Sequence, residues 1–469
     1  MASSLQQQMF SELWGKEIFD AAKDCAFEYA EGTCLRPAYP AKAAISALDR
    51  FDEDLPMSTG DGLEVIRALH TFGSPATVAS TGGRYFGFVN GGAIPAALGA
   101  RWLADFWDQN SALFKMSPVS SKLEEVCERW LRALFGLPPD TVAGFVSGTS
   151  SAILCGLAAA RYRVFQNQGW DVNEKGLRNA PRIRVVEGRH AHATVIKAVA
   201  MLGLGIENIE WVDVDDQGRI IPDEVPGLDR TTMLILQAGN VNSGSFDAFE
   251  TLCGRAAAAG AWVHVDGAFG LWAAACSSLA HLTRGIEAAT SWSVDGHKTL
   301  NTPYDSGIIL CRDKAALVAA LQASGSYLAY SDARDGMLYT PELSRRARAT
   351  ELWATLKYLG KRGIDELISI LHARAVQMAG ELRAEGFEIL NDVVFNQVLA
   401  ACESDPITDG TIAYVQESGE CWVGGAKWRQ RAVARISVCS WATTSEDISR
   451  SVKAFVEARA RARHCGPSA

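Results

Sequence analysis

The sequence predicts an α/β protein whose largest part is a three-layer α/β/α domain on a mostly parallel sheet. Three observations carry that expectation. Between residues 142 and 313, short apolar runs alternate with helical segments. The runs are apolar throughout, as in strands buried on both faces by crossover helices. The texture differs on either side: helical before residue 78, and mixed short strands and long helices after 345. The expected organisation is a helical N-terminal segment (1–78), a large domain (79–345) and a small α+β C-terminal domain (346–469).

The elements follow in order. SSLQQQMFSELWGKEIFDAAKDCAFEYAEG (3–32) has apolar positions at helical spacing and a glycine where a helix would end. LEVIRALHTF (63–72), residues 91–113 and SSKLEEVCERWLRALFG (120–136) read as further helices. VAGFVSG (142–148) is the first buried strand, followed by the helix SSAILCGLAAARYRVF (150–165). IRVVEG (183–188) precedes the helix HATVIKAVAMLGLG (192–205), and MLILQAG (233–239) precedes FETLCGRAAAAG (249–260). WVHVDGA (262–268) and GIILCRD (307–313) complete the strands, joined with right-handed crossovers. Two helices over 347–363 and 364–386 lead to the strands VFNQVLAAC (394–402) and ARISVCS (434–440).

Composition narrows the function. The chain has 469 residues, 48% of them hydrophobic and 21% charged, enough for a sizeable core. A net charge of −9 and a pI near 5.5 argue against a nucleic-acid partner. The basic run ARARARH (458–464) suits a last helical turn. Eleven cysteines, none spaced as CxxC, read as free thiols, and no metal site is expected. No signal-peptide pattern opens the chain, and no apolar run approaches the ~18 residues of a membrane span. A cytoplasmic protein with no membrane contact is expected.

Four strand ends carry polar residues, where open α/β sheets collect ligands. In SGTSS (147–151), Gly148 permits close backbone approach, and Thr149 and Ser150 open a helix. That is an anion site suited to phosphate, or a plain helix cap. In HVDGAFG (264–270), Asp266 ends an apolar strand, where a buried carboxylate needs a cation unless it merely turns the chain. In RHAHATV (189–195), His192 opens a helix as a ring-stacking group or a satisfied core histidine. In SVDGHKTLNTPYDSG (293–307), Lys298 follows Asp295 and His297 on the loop before the last strand. A lysine in a partly dry pocket is a Schiff-base nucleophile; a solvated lysine is the plain alternative. Jointly the four suit pyridoxal phosphate: an aldehyde for the lysine, a ring nitrogen for the carboxylate, a flat face and a phosphate.

The chain thus resembles the group II pyridoxal-phosphate decarboxylases of fold type I, which include the aromatic-L-amino-acid and glutamate decarboxylases. D-x-H-K with P-Y-D-S-G behind it carries the resemblance, with H-V-D-G-A and A-H-A-T-V ahead. RYFGF (84–88), SPVSSKLEEVCERWL (117–131), GSFD (244–247) and RISVCSWATTSEDI (435–448) extend it over roughly residues 75 to 450. The resemblance implies that Lys298 bonds the cofactor aldehyde, Asp266 pairs with the ring nitrogen and His192 stacks on the ring. It implies that Gly148, Thr149, Ser150, Asp295 and His297 surround the phosphate, with Asn242 and Ala268 near the ring. It also implies a homodimer with its site at the subunit interface and the N-terminal helices packed across the partner.

The implied activity is decarboxylation of an L-amino acid, favouring an aromatic side chain. Tyr85, Phe86 and Trp107, with Phe106, fall where relatives build the substrate pocket. Arg435 suits either a carboxylate or a domain-interface ion pair. One region departs from the family pattern. Relatives carry a proton-donating tyrosine on a loop after the large domain. Here YLAYSDARDGMLYTPELSRRARATELW (327–353) is shorter and lacks D-Y-R, leaving Tyr339 as the nearest candidate and Tyr330 behind it. The departure keeps open an aldehyde synthase, an aldolase-type lyase or a transaminase on the same scaffold.

Overall fold

In the computed structural model, which describes residues 3–322 and 333–465, seven strands form the larger sheet. They are β1 (Val142–Val146), β2 (Arg184–Gly188), β3 (Ile209–Val212), β4 (Thr232–Gln237), β5 (Trp262–Asp266), β6 (Ser291–Asp295) and β7 (Gly307–Cys311). Their order is β1-β7-β6-β5-β4-β2-β3. Only β7 runs against its neighbours, so the carboxyl ends of β1, β2, β4, β5 and β6 share one edge.

Helices Thr149–Gln166, Ala193–Met201 and Lys314–Leu321 cover one face, and Pro118–Leu134, Phe249–Ala259 and the start of Ala349–Ala384 cover the other. Every residue of β1, β4, β5, β6 and β7 is buried, which is why most of them read as unbroken apolar runs. Two strands escape that criterion. In β6, SWSVD, the serines are buried, and Ser291 accepts the Trp262 indole N–H at 2.9 Å. Asp295 therefore ends a strand and does not sit on a loop. In β3, IEWV, a charged residue interrupts the apolar pattern.

A second, antiparallel sheet has the order β10-β11-β9-β8, made of β8 (Glu388–Ile389), β9 (Gln397–Ala401), β10 (Gly424–Trp428) and β11 (Arg431–Ser437). Helices Asp405–Ser418 and Ser445–Cys465 share its core. The two helices expected over 347–386 are one helical run, Ala349–Ala384, kinked at Gly360 (φ 58°). Its first half packs in the core of the large sheet and its second half in that of the small sheet.

The N-terminal helix also differs from expectation. Lys16, at φ 66°, divides it into Ser4–Gly15 and Glu17–Thr33, and Gly32 lies inside the second. The helix expected over 91–113 is shorter, Pro95–Trp107: proline sets its first turn and left-handed Asp108 ends it.

Candidate active site

The shared edge gathers the polar residues that follow β1, β2, β5 and β6. Gly148 precedes the helix Thr149–Gln166 and lies against the start of β7; a Cβ on Gly307 would come within 2.3 Å of the Gly148 Cα. Asp295, 1% exposed, faces that helix start. Its Oδ1 accepts the Thr149 N–H at 2.8 Å and its Oδ2 the Thr149 hydroxyl at 2.9 Å. Lys298 Nζ is 3.2 Å from Oδ2, and His297 Nε2 is 3.4 Å from it. His297 Nδ1 accepts the Ser306 N–H at 3.0 Å, which directs Nε2 at the carboxylate, and its ring stacks on Tyr304 at 4.1 Å. Burial alone would raise the Asp295 pKa; Lys298, His297 and Thr149 hold it below the usual aspartate value.

Asp266, at the end of β5, is 5% exposed, and among the described residues its carboxylate accepts one hydrogen bond, from the Ala268 N–H at 3.2 Å. Burial pushes its pKa up, against the pull of His192 and Lys298. Ala268 links the two carboxylates, because its carbonyl accepts the Asp295 N–H at 2.9 Å. His192 caps the helix Ala193–Met201. Its Nδ1 accepts the Thr194 N–H at 3.3 Å, so the neutral ring carries its proton on Nε2. Burial lowers its pKa, and Lys298 and Arg435 add to that against Asp266.

Of the other predicted residues, some lie at this edge and some away from it. Ser150 is exposed at the same helix start as Thr149. Asn242 sits in a turn whose buried hub is Asn240; the Asn240 Oδ1 accepts the Asn242 N–H at 2.9 Å. Tyr85 stacks on Trp422 at 5.1 Å, and Phe88 stacks on the same indole at 5.4 Å. Phe86 is 0% exposed inside the small-sheet core, so it lines no pocket. Trp107 and Phe106 are exposed at a helix end, Phe106 against Phe19. Tyr339 is 5% exposed in the core beside β1, its ring under the Arg334 guanidinium at 4.5 Å. A short 3₁₀ turn (336–339), pinned through Arg345 and Arg334 to Glu124, carries it away from the strand-end cluster. Tyr330 lies outside the described residues.

Sequence reading missed two groups. Asn301, 0% exposed, binds the lysine loop to its surroundings through its side-chain amide. An asparagine in the run N-T-P-Y-D (301–305) gives only a weak signal; its left-handed φ of 59° shows in the backbone alone. Glu187, 2% exposed on β2, has no hydrogen-bond partner for either oxygen among the described residues. Burial, then Asp266 and Asp247, raise its pKa well above the usual range.

These residues fit pyridoxal phosphate. Asp266 is a buried carboxylate with a single N–H donor, and a protonated ring nitrogen supplies what it lacks. The Lys298 side chain is 18% exposed and so within reach of an aldehyde. Thr149 is engaged by Asp295, which leaves Ser150 as the open group at the helix N-terminus for a phosphate.

Residues 49–400 match the family model described as the pyridoxal-dependent decarboxylase conserved domain. The acidic amino acid decarboxylase GADL1 of Mus musculus is 27% identical over 336 residues, covering 67% of this chain and 59% of the relative. The cysteine sulfinic acid decarboxylase of Homo sapiens is 26% identical over 330 residues, covering 67% and 66%. The matches thus span less than two thirds of these relatives' length. Among solved structures, Oryza sativa TDC with PLP and tryptamine superposes with a TM-score of 0.87 at 20% identity, covering 96% of this chain and 98% of that one.

Proposed function

The chain belongs to the pyridoxal-dependent decarboxylase family, and on that premise we propose that it is a carboxy-lyase that removes the α-carboxylate of an L-amino acid. The observation that carries the reading is the pairing of a reachable lysine, Lys298, with a buried and nearly unpartnered carboxylate, Asp266, on one sheet edge. When bound, pyridoxal phosphate supplies an electron sink for the bond broken at the α-carbon.

The chain's own residues have distinct tasks. Lys298 would hold the cofactor through its aldehyde. Asp266 keeps a proton at the ring nitrogen; without it the sink is poorer. His192, whose pKa burial lowers, would cover one face of the ring and keep water from it. Ser150 and the start of the helix Thr149–Gln166 hold the phosphate. Arg435, half-buried on β11, has no hydrogen-bond or ion-pair partner among the described residues, and its charge is felt at His192. It is the cation for the substrate carboxylate. Tyr339 is no proton donor, because its ring is buried in the core.

An aromatic substrate is supported by the Tyr85–Trp422–Phe88 stack, which leads through Gly91 to the Lys298 backbone. A second reading, an acidic side chain, draws on the names of the two curated relatives. A homodimer is supported by the exposed Trp14, Phe27, Trp102 and Phe106 on the N-terminal helices and Pro95–Trp107. The large domain is taken as residues 79–345.

The test is product analysis with cofactor-loaded protein and a panel of aromatic and acidic L-amino acids. Carbon dioxide with the matching amine is the expected result. Aldehyde, keto acid or a cleaved side chain would replace the reading with an aldehyde synthase, a transaminase or a lyase.

A further inference from the structure

Asn301 lies three residues after Lys298 in a left-handed conformation (φ 59°) that asparagine tolerates better than most residues. It is 0% exposed. Its backbone N–H donates to the Lys298 carbonyl at 2.9 Å, and its own carbonyl accepts the Ile94 N–H at 3.1 Å. Its side-chain amide reaches three segments. Nδ2 donates to the Thr299 carbonyl at 2.8 Å and to the Cys439 carbonyl at 3.0 Å, which uses both of its protons. Oδ1 accepts the Trp441 N–H at 2.9 Å and also the Gly92 N–H.

The three segments have different owners. Thr299 belongs to the lysine loop, and Gly92 to the irregular run that begins at the Tyr85–Trp422 stack. Cys439 and Trp441 follow β11, the strand that carries Arg435. The lysine loop is also closed from the other side. The Gly91 N–H donates to the His297 carbonyl at 3.2 Å, and a Cβ on Gly91 would lie 2.1 Å from the Lys298 carbonyl oxygen. The Lys298 backbone is thus clamped while its side chain stays reachable. No other described side chain amide hydrogen-bonds both the lysine loop and the segment after β11.

We propose that Asn301 is a positioning residue that sets the separation between Lys298 and Arg435, and so lets one amino acid engage the lysine-held cofactor and the guanidinium at once. The inference rests on the carboxylate role given to Arg435 under the proposed function. Asn301 touches neither cofactor nor substrate; it acts through the backbone of the lysine loop and of the strand that bears the arginine. Losing the amide leaves the backbone groups of Gly92, Thr299, Cys439 and Trp441 without their partner, and the two units are free to drift relative to each other.

The test compares ligands that differ only in the carboxylate. Asn301→Gly keeps the left-handed backbone and removes the amide. Cofactor-loaded wild type and variant are titrated with an L-amino acid that shifts the cofactor absorbance, and with the amine that lacks its carboxylate. The variant is expected to need about tenfold more amino acid for half the shift. Its response to the amine is expected to stay within about twofold of wild type. In an Arg435→Gln background, Asn301→Gly is expected to add nothing further to the amino-acid value, because the two act on one contact. Equal weakening for both ligands, or for neither, overturns the proposal, as does a full additional loss in the double variant. If Asn301→Gly does not hold the cofactor, Asn301→Asp is read by the same criteria; it keeps the acceptor oxygen and loses the donors. The readout is independent of the product formed. A protein that binds amino acids without decarboxylating them defeats the proposed function and leaves this comparison intact.

Discussion

Two carboxylates end adjacent strands on the same sheet edge, equally hidden from solvent and opposite in their surroundings. Asp295 is saturated: a helix N–H, a hydroxyl, an ammonium and an imidazole converge on it. The Asp266 carboxylate has one backbone N–H among the described residues. Burying a charge with so little compensation is unfavourable, and such positions persist where a ligand completes them. The contrast teaches that the edge has an architectural half and a receptive half. The β6 end locks the helix and lysine together; the β5 end waits for a cation.

The largest test removes the lysine that both halves share. Lys298→Ala is expected to lose at least about a thousandfold in product formation, measured at saturating cofactor. Turnover that survives would mean the receptive half works alone. Next, Asp266→Asn is expected to lower the rate about a hundredfold and to change the absorbance of the bound cofactor, since an amide cannot hold the ring proton. A wild-type spectrum in that variant would remove Asp266 from the ring nitrogen.

The same two positions should part company in the cofactor-free protein, by thermal melts across pH. Asp295 has a folded pKa below its unfolded value. Its stabilising contribution is therefore full above about pH 4 and lost as pH falls through the lowered value. Asp295→Asn is expected to melt earlier than wild type at neutral pH, by about 1–3 kcal/mol, with the gap closing in acid. Asp266 has a raised folded pKa, so the native state binds its proton more tightly and stability falls as pH rises through that range. Asp266→Asn is expected to melt later than wild type at neutral pH. If both variants shift in the same direction, the two halves are not distinct. The smallest effect is expected from Tyr339→Phe, whose rate should stay within about twofold of wild type, because the ring lies in the core.

Much of this edge could be read in advance because function and strand ends coincide. Gly148, His192, Asp266 and Lys298 each follow or end a run that shows itself by unbroken hydrophobicity, or, at β6, by the motif around the lysine. What stayed hidden obeyed other rules. The strand β6 buries two serines, and Ser291 meets Trp262 and His264 only across the sheet, so no local pattern marks it. Asp295 and Thr149 are 146 residues apart, and nothing along the chain tells that the helix start expected to take a phosphate already holds a carboxylate. Tyr339 looked available because sequence spacing carries no depth; the ion pairs of Arg334 and Arg345 with Glu124 bury the turn that bears it. Phe86 misled in the same way: its neighbours Tyr85 and Phe88 stack on Trp422 while it points into the other core.

The kinked helix Ala349–Ala384 bears on how this protein can be cut. Leu352, Leu356 and Ile364 close the core of the large sheet, and Leu371, Met378 and Leu382 close that of the small one. A fragment that stops before Ala349 lacks a wall of its own interior, and one that begins there carries half a helix with nothing to cover it. The two sheets are therefore poor candidates for separate expression, and a protease site engineered at Gly360 would dismantle both.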